Sequence, residues 1–323
     1  MALSIFALIG HKNGAADDSA FELAAAAKAV DSGASLTAVV CGAGSELDSV
    51  CQAVSAVYPT VWKINHAGLA YPNAEALRPA LAKVIPKGAI VLMAHDTLGM
   101  DLGPGLSIKL DAAFVPDVVG IEGLDGNVLK LVRQEFGGQV STHIHCDIRD
   151  GAVINVRSGA FQPTGETASG SVVDKSGDVG DIQPKRKYLE TVVAEVGDVD
   201  ITKADVLVSV GRGIEDQENI SIAQELADTI GAVVSCSRPI VDAKWLEKSR
   251  QVGTSGKTVK PKVYIALGIS GSFQHLGGIK GNPFMVAINK NPKAPIFQVA
   301  DVGVVTNLLE FVPELTERIK EKK

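Results

Sequence analysis

The sequence predicts an α/β protein of two parallel-sheet domains, the first carrying an added small β region. Three observations predict it. Strand-like and helix-like stretches alternate through the first part of the chain, the same rhythm resumes after Ile201, and short β-like runs of a different texture lie between. Such alternation packs helices against a mostly parallel sheet.

The elements follow in order. "SIFALIG" reads as a strand, "SAFELAAAAKAV" as an Ala-rich helix and "SLTAVVCG" as a second strand. "AEALRPALAKVI" reads as a helix interrupted early by Pro79, because a proline inside a helix removes a donor and crowds the preceding turn. "AIVLMAH" is apolar without period-two alternation, as expected of a strand buried on both faces of a parallel sheet. From Val118 to Phe161 the runs "VLKLVRQEF", "VSTHIHCDI" and "AVINVRSGAF" are separated by Gly and Asp and read as antiparallel strands or hairpins attached to the core. Residues 163–188 are polar and rich in Gly, Ser and Asp, the best linker or surface excursion, with a further β-like run, "LETVVAEVG", beyond. "DVLVSVG" then begins a second unit, with "NISIAQELADTIG" as a helix, "AVVSCS", "KVYIALG", "MVAINK" and "PIFQVAD" as strands, and "VTNLLEFVPELTERIKEKK" as helical. The expected division is 1–195 and 196–323, each half Rossmann-like or flavodoxin-like.

Bulk properties narrow the function. A length of 323 residues suits two domains, and a net charge of −6 gives no basic footprint for nucleic acid or anionic membrane. The opening "MALSIFALIG" lacks a positive n-region and reads as a strand, and no later run reaches transmembrane length. Cys41, Cys51, Cys146 and Cys236 form no C-x-x-C pair, so reduced thiols in a cytoplasmic setting are expected.

In parallel sheets ligands sit beyond the carboxyl ends of strands, so the loops that follow strands matter most. In the second half these are "GRGIEDQEN", "SRPIVD", "GISGSFQHLGG", "NKNPKA" and "DVGVV", and their glycines and helix starts suit a pyrophosphate. "QVGTSGKT" mimics a P-loop but has Gln251 where that motif needs glycine. It also follows the polar, helical-looking "DAKWLEKSR" and precedes a strand, the reverse of P-loop context. The first half has a partial G-x-G in Gly42-Ala43-Gly44, with Leu47 where a third glycine belongs, which reads as an ordinary turn. In "HIHCDIRD", His143 and His145 share one strand face and Cys146 the other, so no metal set converges.

The loops of the second half, taken together, resemble the alpha subunit of electron transfer flavoprotein. The resemblance runs through "VGRGIEDQENISIAQELADTIGA", "CSRPIVDAKWLEKSRQVGTSGKTVKPKVYIALGISGSFQHLGGIKG" and "AINKNPKAPIFQVADVGVV". It continues more loosely in "HDTLGMDLGPGLSIKLDAAFVPDVVGIE" and "VRSGAFQP". It implies FAD in the second domain, a heterodimer with a beta subunit that carries AMP or a second FAD, a flavin dehydrogenase as electron donor, and a quinone reductase or similar acceptor. Residue by residue it implies Arg212 at the FAD phosphates, where a guanidinium suits paired oxygens, and Ser237 and Arg238 beside the isoalloxazine. A fixed cation there raises the potential of the first reduction. Ser255 falls at the hydroxyl position facing flavin N5, where relatives often carry Thr, with Val252, Gly253 and Thr254 supplying backbone. His275 falls near the C2 carbonyl as a donor or partial positive charge. Ser270, Gly271, Ser272, Phe273, Gln274 and Asn289 match phosphate and ribose contacts, and Asn307 stands where relatives often have Asp near the adenosine. Gly105 stands where relatives frequently have Arg, and no first-domain residue is carried over.

The function implied is that of an electron-carrier subunit, which needs no general acid, base or nucleophile. Two alternatives stand beside it: a subunit of an electron-bifurcating flavoprotein that oxidises NADH, and a non-redox adenine-nucleotide-binding module.

Overall fold

Apolar runs without alternation become central strands. In the computed structural model, which describes residues 3–71, 73–136, 140–165, 167–190, 199–281 and 283–322, they build two sheets in two units, Met1–Leu189 and Glu190–Lys323.

In the first unit β1 (Ser4–Ile9) is followed by a two-stranded ladder of β2 (His11–Lys12) and β3 (Ala15–Ala16), and then by α1 (Ser19–Val30). The Ala-rich face of α1 lets it lie close on the sheet through Ala20, Leu23, Ala24 and Ala27. Next come β4 (Ser35–Gly42), α2 (Glu46–Ser55), β5 (Thr60–Asn65), α3 (Ala74–Val84), β6 (Ile90–Ala94) and α4 (Thr97–Leu110). The Asn73 side chain accepts from Ala76 N–H and starts α3; the Asp96 carboxylate accepts from Gly99 N–H and starts α4. Pro79 does not interrupt α3, which runs through it to Val84, since the proline removes one backbone donor while Leu77, Ala80 and Leu81 stay buried.

The chain then leaves as an antiparallel arm, β7 (Ala113–Asp125), β8 (Val128–Glu135) and β9 (Val140–Asp147), and returns as β10 (Ala152–Val156). "AVINV" is therefore not part of a hairpin. It is a fully buried strand, parallel to both β6 and β7 and inserted between them. Nor are residues 163–188 a free linker. β11 (Ser171–Asp174) pairs in parallel with β5, Val179 and Ile182 are buried in the core, and Glu75 accepts from the N–H groups of Lys185 and Arg186. Of "LETVVAEVG", residues 191–197 lie outside the described residues. The sheet order is β11-β5-β4-β1-β6-β10-β7-β8-β9, so the first four parallel strands run 3-2-1-4, as in a Rossmann sheet, while β10 lies between β6 and the earlier strand β7. One core lies under α1 and α2, the other under α3 and α4.

The second unit contains β12 (Val206–Val210), α5 (Ile220–Ile230), β13 (Val233–Cys236), α6 (Arg238–Asp242), β14 (Val263–Leu267), α7 (Phe273–Leu276), β15 (Phe284–Asn289), β16 (Val302–Val305) and α8 (Leu308–Lys320). Its all-parallel order β13-β12-β14-β15-β16 is 2-1-3-4-5, the flavodoxin-like arrangement. α5 and α8 cover one face. The other face is covered mainly by loop residues, among them Val252, Val259, Ile269 and Ile296. Two elements differ from expectation. "PIFQVAD" is a 3-10 turn at Pro295–Gln298 followed by β16, because Ala294 and Ile296 turn inward as single plugs rather than alternating. "DAKWLEKSR" is not helical throughout: α6 ends within one turn where Lys244 adopts a left-handed φ of 62°, and only Lys248–Arg250 coils again, as 3-10 helix.

Candidate functional site

Strand order locates the site. In the second unit the order reverses between β12 and β14, and the loops leaving their carboxyl ends part there. A cleft of about 560 Å³ opens at that point, walled by the ends of β12, β13, β14 and β15. Two glycines make the crossing possible. A Cβ on Gly213 would lie 2.7 Å from Gly268 Cα, and one on Gly268, where φ is +64°, would lie 2.6 Å from Gly213 Cα. The two loops touch backbone to backbone, which only glycine permits.

Of the residues expected from the sequence, Arg212, Ser237, Arg238, Val252, Gly253, Thr254, Ser255, Ser270, Ser272, Gln274, His275 and Asn289 all line this cleft. Gly271, Phe273 and Asn307 do not. Gly271 is packed against the backbone of Ile296, and Phe273 points outward, 62% exposed. Asn307 caps α8, its amide oxygen accepting from Leu309 N–H and its nitrogen donating to Glu310. Asn289 lines the cleft but spends its amide on the chain itself, donating to Ile269 C=O and accepting from Asn291 N–H. It fixes two cleft loops against each other.

Charge enters from the rim. Arg212 is exposed and makes no ion pair among the described residues. Arg238 pairs with Asp242, four residues on, at 3.4 Å. Both groups are about two-thirds exposed, and a pair of that kind contributes at most about 1 kcal/mol, so Arg238 remains available to an anion. Burial pushes the His275 imidazole down to about 4, with the Val252 backbone opposing weakly. The ring is therefore neutral at pH 7, which leaves it the role of donor rather than of positive charge. Its Nε2 lies 2.8 Å from the Tyr264 hydroxyl, while Nδ1 is buried without a hydrogen-bond partner.

"QVGTSGKT" folds as a closed turn on the cleft wall. Val252 N–H reaches Cys236 C=O, Lys257 N–H reaches Gln251 C=O, and Thr254 N–H reaches Gln274 C=O. Its own donors are therefore largely occupied, unlike those of a phosphate loop. The free functional group is the exposed Ser255 hydroxyl, held by a 2.9 Å bond from Gln251 Nε2. Gln251 is 4% exposed and is one of the cleft residues that sequence reading missed, with Pro239, Asp242, Ile269, Asn291 and Pro295. Gln251 had been weighed only as the residue that spoils a P-loop.

Elsewhere no metal set forms among the described residues. His143 and His145 are exposed, Cys146 is buried on the opposite face, and His143 pairs with Glu122 at 2.9 Å. All four cysteines are buried and free. No described helix is long and apolar enough to cross a membrane.

Comparison with known proteins fits this geometry. Residues 5–178 match the model of the electron transfer flavoprotein domain, and residues 200–280 that of the electron transfer flavoprotein FAD-binding domain. The chain is 33% identical to a probable mitochondrial electron transfer flavoprotein subunit alpha of Cryptococcus neoformans var. grubii, covering 98% of this chain and 91% of that one. It is 30% identical to the mitochondrial subunit alpha of Arabidopsis thaliana over 99% and 91%. It is 38% identical to the subunit alpha of Thermoanaerobacterium thermosaccharolyticum over 73% and 72%. A solved thiamine diphosphate-dependent decarboxylase from Rhodococcus jostii RHA1 aligns over 98% of this chain and 59% of its own with a TM-score of only 0.23 and 11% identity. Fold and cleft thus define a doubly wound α/β protein with a ligand cleft at its switch point. The chain belongs to the electron transfer flavoprotein family, as an alpha subunit whose second unit is its FAD-binding domain. Membership implies a heterodimer with a beta subunit, and neither the bifurcating nor the non-redox alternative is favoured.

Proposed function

We propose that this subunit passes single electrons from a flavin dehydrogenase to a quinone reductase or similar acceptor. In this reading its first unit pairs with the beta subunit, which carries AMP or a second FAD. The observation that carries the reading is the cleft at the β12/β14 switch point, with two guanidiniums at its rim and a neutral buried imidazole in its wall. Its lining suits the cofactor: cations and hydroxyls for a pyrophosphate and ribose, and a neutral imidazole in the wall for a polar ring edge. When bound, FAD supplies the one-electron chemistry.

The chain's own residues bind and tune. Arg212 would neutralise phosphate oxygens, aided by Ser270, Ser272 and Gln274, with Asn289 holding the loops. Ser237 and Arg238 would flank the ring, and Arg238 would favour an added electron by its charge. Val252, Gly253 and Thr254 carry Ser255, whose hydroxyl both donates and accepts and so serves N5 in either state. Asn307 would reach an adenosine only by giving up its cap on α8. The four buried free thiols fit a reducing, cytoplasmic compartment.

Flavin stoichiometry of the co-purified heterodimer tests the reading. One FAD per pair without NADH oxidation is the expected result. A colourless heterodimer that takes up no FAD on reconstitution would overturn it.

A further inference from the structure

Behind the cleft wall lies a buried polar group that binds nothing yet is not apolar. Tyr264 and His275 are 0% and 5% exposed, and Ser209 and Ser235 are both 0% exposed. Ser209 and Ser235 are register partners on β12 and β13. Leu207 pairs with Tyr264, so alternation places Tyr264, Ser209 and Ser235 on one face of the sheet. The serine hydroxyls are buried without a hydrogen-bond partner of their own, and both lie near enough to the Tyr264 hydroxyl to favour its ionised form slightly against burial. Four buried polar side chains on a loop-covered core face are costly unless they satisfy one another.

We propose that Tyr264 is a positioning residue for the cleft, its hydroxyl donating to His275 Nε2 and holding the imidazole in the Nδ1–H form. Two considerations set the direction. A phenol is a stronger acid than a neutral imidazole N–H, and an imidazole nitrogen is the better acceptor, so O–H to N is the stronger sense. The reverse sense would strand a bare Nδ1 lone pair beside the Val252 backbone, which acts on the ring as an acceptor does. With the proton on Nδ1, the tyrosine oxygen keeps its lone pairs for Ser209 and Ser235. The cleft wall then offers a neutral donor of fixed sense, with no added charge.

The functional part of this inference rests on the cleft holding FAD, whereas the tautomer is a property of the chain itself. The test is nitrogen-15 NMR of the full-length protein labelled at histidine, with and without FAD, the His275 resonances being assigned by their loss in His275→Gln. The expected spectrum shows a protonated Nδ1 and an unprotonated Nε2 at pH 7 in both states. A protonated Nε2 in the unaltered protein would overturn the proposal, whatever any variant does. In Tyr264→Phe the two tautomers are expected to mix and FAD affinity to fall about fivefold, the scale of one neutral hydrogen bond. Ser255→Ala should leave the tautomer untouched. An unchanged tautomer in Tyr264→Phe would equally sink the idea. Failure to bind FAD with the tautomer as expected would instead count against the flavin reading alone.

Discussion

Arg238 shows how a single side chain can carry two readings at once. Its exposed pair with Asp242 is weak enough to yield to a ligand, and a cation about 4 Å from a developing charge contributes roughly 1 kcal/mol in water and more as the site dries. Arg238→Ala is therefore expected to lower the potential of the first electron, read by spectroelectrochemical titration; an unchanged potential would place Arg238 away from the ring. Ser255→Ala should alter the potentials while changing FAD affinity less than about tenfold, because one hydroxyl contributes only about 1 kcal/mol. If equilibrium titration shows binding collapsing instead, the loop grips phosphate. His275 makes a pH prediction. Its folded pKa is depressed, so between about 6.5 and 4 the unfolded chain binds the extra proton and stability falls with acidity. The contribution present above pH 6.5 and lost by pH 4 is roughly 3 kcal/mol. His275→Gln should flatten that part of the curve in urea unfolding at pH 7 and pH 4.5, and parallel curves would contradict the burial. These residues were named through the family resemblance of their loops, because a guanidinium, a hydroxyl or an imidazole in a loop does not by itself announce a role. Gln251 was not, since an amide that only holds another side chain has no distinguishing neighbours in sequence.

Elements made of strong local preference read correctly from sequence. Ser19–Val30 and Ser35–Gly42 form with the expected bounds, because an Ala-rich face and a β-branched run leave little choice. The errors fall where tertiary pairing overrides local texture. Residues Ser171–Asp174 look like linker but add an edge strand to β5. "PIFQVAD" looks like a strand, yet it sends Ile296 under Gly271. The crossing of Gly213 and Gly268 belongs to the same scale, since neither glycine reveals its partner. Gly268→Ala combines a positive φ with backbone overlap and should destabilise the second unit by roughly 2–4 kcal/mol. Circular dichroism melts of this variant that match the parent would show that the loops can separate at little cost.

At the scale of the molecule, two units with separate cores should unfold as separate calorimetric events. FAD at about 100 times its dissociation constant should stabilise only the second-unit event, by about 2.7 kcal/mol; a shift of both, or of the first alone, would contradict the cleft's location. The position of β10 bears on synthesis rather than on the finished protein. During translation β6 and the whole β7–β9 arm emerge before Ala152–Val156, so until that strand arrives each presents an open edge to the other and to neighbouring chains. A nascent chain paused there is the form most exposed to aggregation, and chaperone demand should peak before residue 152 has left the ribosome. Ribosome-bound chains stalled just before and just after β10 has emerged would reveal this as a drop in chaperone retention.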